Sequence, residues 1–309
     1  MEILQNLISD DNLAWKKSLD EHTDSFLIKL SHDSILELDK KKDNLQSSKI
    51  NDFPILEYEI LKLKESYLIQ GNGFFILDGS CLENFSNENE KEIFRIISTC
   101  FGQLYVQNIK NEKFVTITDE GKSMKTGGRY HQTKEGGSFH TDSPQWSKVP
   151  DFVGLLCIRP AKIGGISKFV SAYTIHNQIL KLNPDFLKLL YKKFHFDKRN
   201  EFQKNESPTT FEPIFKYEDN ELKFRYLRNY IDDGQKIVKQ PLSSEQNHVL
   251  DQLDNAIHDE NFSVSYDLSQ YDMTFFNNHR IIDGRTSFED YMESDKKRYM
   301  VRVWIKNNR

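Results

Sequence analysis

Seven consecutive residues, Phe152 to Ile158, are apolar or glycine and run between Pro150 and Pro160. The run is far short of the roughly 18 apolar residues a membrane span needs, and proline closes it, so it reads as a strand. A strand needs partners, and the chain supplies them. Phe74-Phe75-Ile76-Leu77 reads as a buried strand, Phe114 to Thr118 as a short one, Ser167 to Val170 as one begun after a Gly164-Gly165 turn, and Met273 to Phe276 as another. Phe215 and Tyr217 lead through Asp219-Asn220 to Leu222, Phe224 and Tyr226, the pattern of an antiparallel hairpin. Phe262, Val264, Tyr266 and Leu268 alternate, as do Tyr299, Val301, Val303 and Ile305. In that last strand the alternation sets Arg298, Met300, Arg302 and Trp304 on the opposite face.

Helical signals surround and interrupt these strands. Residues 1–70 are helical in pattern and rich in Lys, Asp and Glu, with Ile55, Leu56, Ile60, Leu61 and Leu63 on one apolar face before Gly71 and Gly73. Ile93, Ile96, Ile97, Cys100 and Phe101 mark a helix closed by Gly102, Asn183-Pro184 opens another, and Ser243 with Gln246 forms a capping box. No repeat, low-complexity tract or linker divides the chain. The expectation is one domain, 1–309, mostly β with helical insertions: residues 1–70 as a helical covering layer and 71–309 as the core.

Composition narrows the partners. Hydrophobic residues make up 37% of the chain, and 22 Phe and 13 Tyr supply large buried areas. The net charge of −5 gives no pull toward nucleic acid or anionic lipid, so the expected partner is a small molecule. Cys81, Cys100 and Cys157, odd in number and unpaired in spacing, read as core thiols. With neither a basic-then-apolar leader pattern nor a membrane-length run, the expected place is the cytoplasm, and the oligomeric state is left open.

His140-Thr141-Asp142 puts an imidazole and a carboxylate at i and i+2, on one side of a strand, where both reach one cation. A third ligand from a distant strand would complete the three-ligand face that non-haem Fe(II) oxygenases use. The tripeptide alone is weak, because His22-Thr23-Asp24 and His195-Phe196-Asp197 repeat its pattern. His22 lies in a helical stretch, where i and i+2 diverge by about 200°. His195 lacks a glycine loop before it and reads as a solvated or salt-bridged strand end. His176 and His248 read as structural or surface residues, while Arg129 and His131 divide evenly between pocket lining and solvent. No Gly-x-Ser-x-Gly elbow, phosphate loop or Rossmann fingerprint is present.

Only the middle copy has context. Gly136-Gly137-Ser138-Phe139-His140-Thr141-Asp142, then Pro150 to Ala161, then Gly164-Gly165-Ile166-Ser167, then Phe275 to Phe288, and finally Arg298 to Trp304, resemble in order the taurine dioxygenase and clavaminate synthase-like family of Fe(II)- and 2-oxoglutarate-dependent oxygenases. The resemblance covers roughly residues 70 to 309 and implies a double-stranded β-helix, or jelly roll, with helical insertions. By position it implies that His140 and Asp142 are metal ligands, that Ser167 stands where a threonine contacts 2-oxoglutarate, and that Arg298 grips the distal carboxylate of that cosubstrate. A planar guanidinium suits that grip because it donates two parallel hydrogen bonds to a carboxylate. Arg302, on the same strand face, is offered to an anionic substrate group.

The third ligand departs from the pattern. The family's distal histidine precedes the Gly-Arg-Thr stretch, and Asp283 stands there; His279 lies four residues earlier, where metal contact is not expected. The spacing to Arg298 favours Asp283. Three outcomes follow: Asp283 ligates, the loop shifts and His279 ligates, or iron competence is lost or altered. A second carboxylate would add negative charge and favour harder ions such as Mn²⁺ or Mg²⁺.

The resemblance implies hydroxylation, or a related oxidation, of an unactivated C–H bond in a small metabolite, an amino acid or amino-acid derivative, with Fe(II), 2-oxoglutarate and O2. Asp142 disfavours halogenation, for which relatives leave that position small. A non-catalytic metal- or ligand-binding protein on the same scaffold is the alternative, and a zinc hydrolase a third that leaves Arg298 and Ser167 unexplained.

Overall fold

A computed structural model of the chain describes residues 2–108, 110–123, 132–136 and 139–308. Among them a seven-stranded sheet runs in the order Leu27–Ile28, Phe74–Leu77, Met273–Asn277, Phe152–Arg159, Tyr299–Lys306, Gln103–Tyr105, with Phe114–Ile117 also pairing on Tyr299–Lys306. The apolar run 152–158 lies at its centre, antiparallel to Met273–Asn277 on one side and Tyr299–Lys306 on the other. A second, antiparallel sheet places Ser167–Ser171 between Ser263–Tyr266 and Ile281–Arg285.

The period-two alternation divides the large sheet between two cores. Phe75, Leu77, Leu156, Ile158, Phe275, Val301, Val303 and Ile305 pack on the helices Pro54–Leu63 and Asn87–Phe101. Phe74, Ile76, Val153, Phe276, Met300 and Trp304 face inward and meet Phe169, Val264 and Ile281 of the small sheet. Phe74 stacks on Phe169 at 4.8 Å between ring centroids. Residues 172–262 build a third core on the far side of the small sheet, where Val170 and Ile282 pack against the helices Ala172–Leu182, Pro184–Leu190 and Ser244–Ile257. Both predicted caps form: Asn183 accepts from the Asp185 N–H, and Ser243 and Gln246 exchange hydrogen bonds.

The sandwich is the centre of the molecule, but the helices around it hold more residues, 36% against 24% in strands. The N-terminal layer differs in detail from its sequence reading. Leu27–Ile28 adds a parallel edge strand beside Phe74–Leu77. Helix Pro54–Leu63 buries Leu56 and Ile60 and leaves Ile55 and Leu61 exposed, because an i, i+4 pair is what one neighbouring surface covers. Cys157 is buried, Cys81 and Cys100 are half-buried, and all three are free thiols whose pKa burial raises. Among the described residues no helix is long and apolar enough to cross a membrane.

Candidate active site

The inner face of the large sheet and the small sheet enclose a cavity lined by His140, Asp142, Ser167, Asp283, Arg298 and Arg302, with Ile117, Val153, Leu155, Phe169 and Phe276 as apolar walls. Every residue singled out for the site except His279 therefore meets in one place. His279 lies in the turn after Met273–Asn277 and points into a different depression. Its Nε2 is 2.9 Å from Asp151 Oδ1, an acid that also accepts from Lys306 Nζ and the Asn307 N–H. Burial lowers the His279 pKa against the pull of Asp151.

Asp283 reaches the cavity by register. The His140 and Asp283 backbones exchange two hydrogen bonds, each 2.9 Å, so the residues lie directly opposite one another as an isolated bridge on the edge of the small sheet. The segment after His140 is not the strand its i, i+2 spacing suggested. Thr141 bonds to Tyr226 through both its N–H and its hydroxyl, and Ser143 takes a φ of 55°, which ends extended pairing. Asp142 nevertheless returns to the side of His140, because Asn278 clamps its backbone: Asn278 Oδ1 accepts from the Asp142 N–H at 2.7 Å and Nδ2 donates to the Asp142 carbonyl at 3.0 Å.

The result is one imidazole between two acids. His140 Nε2 lies 3.6 Å from Asp142 Oδ1 and 4.0 Å from Asp283 Oδ1. These spacings exceed the roughly 3 Å edge of an octahedron about an ion some 2.1 Å from each donor. Accordingly, no three His, Cys, Asp or Glu side chains among the described residues already stand at the spacing that holds an ion. Asp283 Oδ1 is buried without a hydrogen-bond partner, so that oxygen gives up no hydrogen bond in turning toward a shared cation. The pKa values of the two acids are shifted in opposite directions. Burial raises the Asp283 pKa and the Asp142 charge adds to that, against His140. Burial acts the same way on Asp142, but the Arg302 guanidinium, His140 and Trp304 outweigh it and hold that pKa low. A buried acid with one oxygen free of hydrogen bonds, beside an imidazole and an ionised carboxylate, fits a divalent cation.

The cosubstrate end is built by the last strand and the double-glycine turn. Arg298 is buried, its guanidinium 5.2 Å from the Phe288 ring centre, and its Nη2 donates to Met300 Sδ. Gly164 and Gly165 have φ of 75° and 76°, and a Cβ on Gly165 would stand 3.3 Å from Arg298 Nε, so glycine serves both the turn and the guanidinium's space. Ser167 begins the central strand of the small sheet and is buried. Arg285, not singled out from sequence, also lines the cavity and donates to the Glu135 and Thr133 carbonyls at 2.7 and 2.6 Å, anchoring the segment before His140. Arg129 and His131 lie outside the described residues. Of the other His-x-Asp pairs, His22 and Asp24 are exposed, and the second is structural: His195 bonds Thr209 and stacks on Phe211, and Asp197 pairs with Arg199. His176 is fully buried against the Tyr191 hydroxyl.

Fold and site together define a two-sheet enzyme with an imidazole and two acids at one end of a pocket and a buried guanidinium at the other. Residues 52–304 match the model of the taurine catabolism dioxygenase TauD, TfdA family, and the chain belongs to that dioxygenase family. It is 28% identical over 243 residues to FR-33289 synthase of Streptomyces rubellomurinus, covering 77% of this chain and 70% of that one. It is 24% identical over 195 residues to the taurine hydroxylase-like protein SAT17 of Stachybotrys chartarum, covering 62% of this chain and 48% of that one. Its fold is similar to asparagine oxygenase, solved in complex with Fe(II), 3-hydroxyasparagine and succinate (TM-score 0.70, 13% identity, 91% and 93% of the two chains). It is also similar to the non-haem iron oxygenase OrfP, solved with Fe and α-ketoglutaric acid (TM-score 0.65, 12% identity, 91% and 93%).

Proposed function

We propose that this protein is an Fe(II)- and 2-oxoglutarate-dependent hydroxylase of an amino-acid-type metabolite, with His140, Asp142 and Asp283 as its metal ligands. The single observation that carries the reading is that these three side chains share one cavity with Ser167 and Arg298. Arg298 binds the distal carboxylate of the cosubstrate by a charge-assisted fork, Ser167 adds a hydroxyl, and Ile117, Val153, Leu155 and Phe169 exclude water along the methylene chain. Iron and the keto acid, when bound, supply the oxidising power drawn from O2. The chain contributes position, charge compensation and dryness.

The substrate occupies a second cavity that shares His140, Asp142 and Arg302 with the first and extends past Gln107, Ser143, Gln145 and Tyr230. Ser143 Oγ and Gln145 Oε1 are buried there without partners. Gln145 Nε2 donates to Glu201, which leaves the carbonyl oxygen as the atom a ligand meets. A polar substrate that brings donors, such as an amino group, satisfies it. The amino-acid products bound in asparagine oxygenase and OrfP support that class.

The test is anaerobic addition of Fe(II) and 2-oxoglutarate, which is expected to give the weak visible band of the keto-acid chelate, followed by succinate when air is admitted. Metal and keto-acid binding without succinate, in a folded protein offered an amino-acid panel, would replace the hydroxylase by the non-catalytic reading that Asp283 favours.

A further inference from the structure

Arg302 stands on the cavity face of the C-terminal strand, four residues from Arg298, where the sequence offered it to a substrate anion. In the structure it also has partners within the chain. Its Nη1 donates to Asp142 Oδ1 at 3.1 Å, its Nε donates to Gln107 Oε1 at 2.9 Å, and its guanidinium lies 4.7 Å from the centre of the Trp304 ring. Trp304 Nε1 donates to the other oxygen of the same acid, Asp142 Oδ2, at 2.7 Å. Gln107 is fixed in turn, its Nε2 donating to the Lys113 and Arg302 carbonyls. Only 12% of the Arg302 side chain and 6% of the Asp142 side chain are exposed, so this is a buried, doubly anchored carboxylate and not a surface ion pair.

We propose that Arg302 and Trp304 are positioning residues for the metal-binding acid Asp142. The inference rests on the ligand set of the preceding section. With both oxygens held, the Asp142 carboxylate plane is fixed and Oδ1 faces His140 Nε2. Each ionised carboxylate oxygen has two acceptor directions, so Oδ1 takes the guanidinium on one and an ion on the other. Charge points the same way. A divalent ion with a neutral imidazole and two carboxylates is already neutral before a dianionic keto acid arrives, and Arg302 restores one positive charge beside it as Arg298 does at the far end.

The experiment is a Mn²⁺ titration of the full chain, followed by the electron paramagnetic resonance signal of free ion, without keto acid or substrate. Outer-sphere partners of metal ligands change affinity by about 10- to 100-fold, and Arg302→Gln and Trp304→Phe are each expected to weaken Mn²⁺ binding by that factor. Arg302→Lys, which keeps the charge and loses the fork, is expected between them and the wild type. Near-ultraviolet circular dichroism checks the fold, and Trp304→Phe with Arg302→Lys carry the test if Arg302→Gln does not fold. Wild-type affinity in the folded variants overturns the proposal. If instead the wild type binds no Mn²⁺, or His140→Ala binds it as tightly as the wild type, the ligand set itself is wrong and the positioning role falls with it.

Discussion

Replacing Asp283 by histidine exchanges an acid for a neutral imidazole at the one position whose chemistry departs from its family. Asp283 Oδ1 stands 4.0 Å from His140 Nε2 and feels the Asp142 charge, with His140 and Arg302 acting against it. A keto acid chelating the shared ion would bring its near carboxylate within about 5 Å of Asp283. At an effective dielectric of about 20, two like charges at that distance repel by about 3 kcal/mol. Compensation by the ion and Arg302 removes part of this, so Asp283→His is expected to tighten 2-oxoglutarate binding by roughly 5- to 150-fold, about 1–3 kcal/mol. Anaerobic titration of the visible chelate band measures it. Unchanged keto-acid affinity in Asp283→His, together with loss of the band in His279→Ala, would refute the assignment and return the third ligand to His279.

Three further outcomes follow. Arg298→Gln removes a buried guanidinium from a carboxylate and is expected to weaken 2-oxoglutarate by about 2–5 kcal/mol while Mn²⁺ affinity stays at the wild-type value, read by parallel titrations. His279→Ala takes one of three partners from Asp151 and is expected to lower stability by about 1–2 kcal/mol in urea denaturation with no change in metal binding. Glu90 is buried in the first turn of helix Asn87–Phe101 with neither oxygen partnered, and burial raises its pKa from 4.5 to about 9. At Glu90 the folded state therefore keeps a proton the unfolded chain has lost, so the contribution of this group to stability is fullest below about pH 4.5 and declines as pH rises toward 9. Glu90→Gln removes that slope, and its melting temperature is expected to exceed the wild type's by a margin that widens from pH 5 to pH 8.

What was legible in the sequence was what local pattern encodes. Alternation in Tyr299–Lys306 assigned Val301, Val303 and Ile305 to one core and Met300 and Trp304 to the other, and the faces fell as the pleat requires. The proximity of His140 and Asp142 was legible too, though for an incomplete reason. Strand geometry was expected to align them, but the backbone pairs with Asp283 only at His140, and Asn278, 136 residues away, brings Asp142 round. That clamp could not be read from spacing. Its signal lay in the Asn277-Asn278 pair, whose second member donates and accepts at the Asp142 backbone while the first caps the turn onto His279. Arg285 and Trp304 were hidden for the same reason: each acts through a contact that exists only after the sheets close.

The change at residue 283 is chemical and leaves the fold alone. The pairing of Ile281–Arg285 with Ser167–Ser171 sets residue 283 opposite Phe169 and, on its other edge, opposite His140. A slip by one residue would turn Ile282, which belongs to the outer core, into the cavity, or place there Gly284, whose missing side chain leaves room for the Phe139 ring 2.9 Å from an added Cβ. Hydrophobic burial on the neighbours therefore fixes which position faces the ion, whatever side chain that position carries. Histidine and aspartate both arrive at the same address, and the difference between them is one unit of charge beside His140. The structure sets Arg302 against that charge through Asp142, so the consequence of the substitution belongs in ion preference and keto-acid affinity, not in the stability of the sandwich.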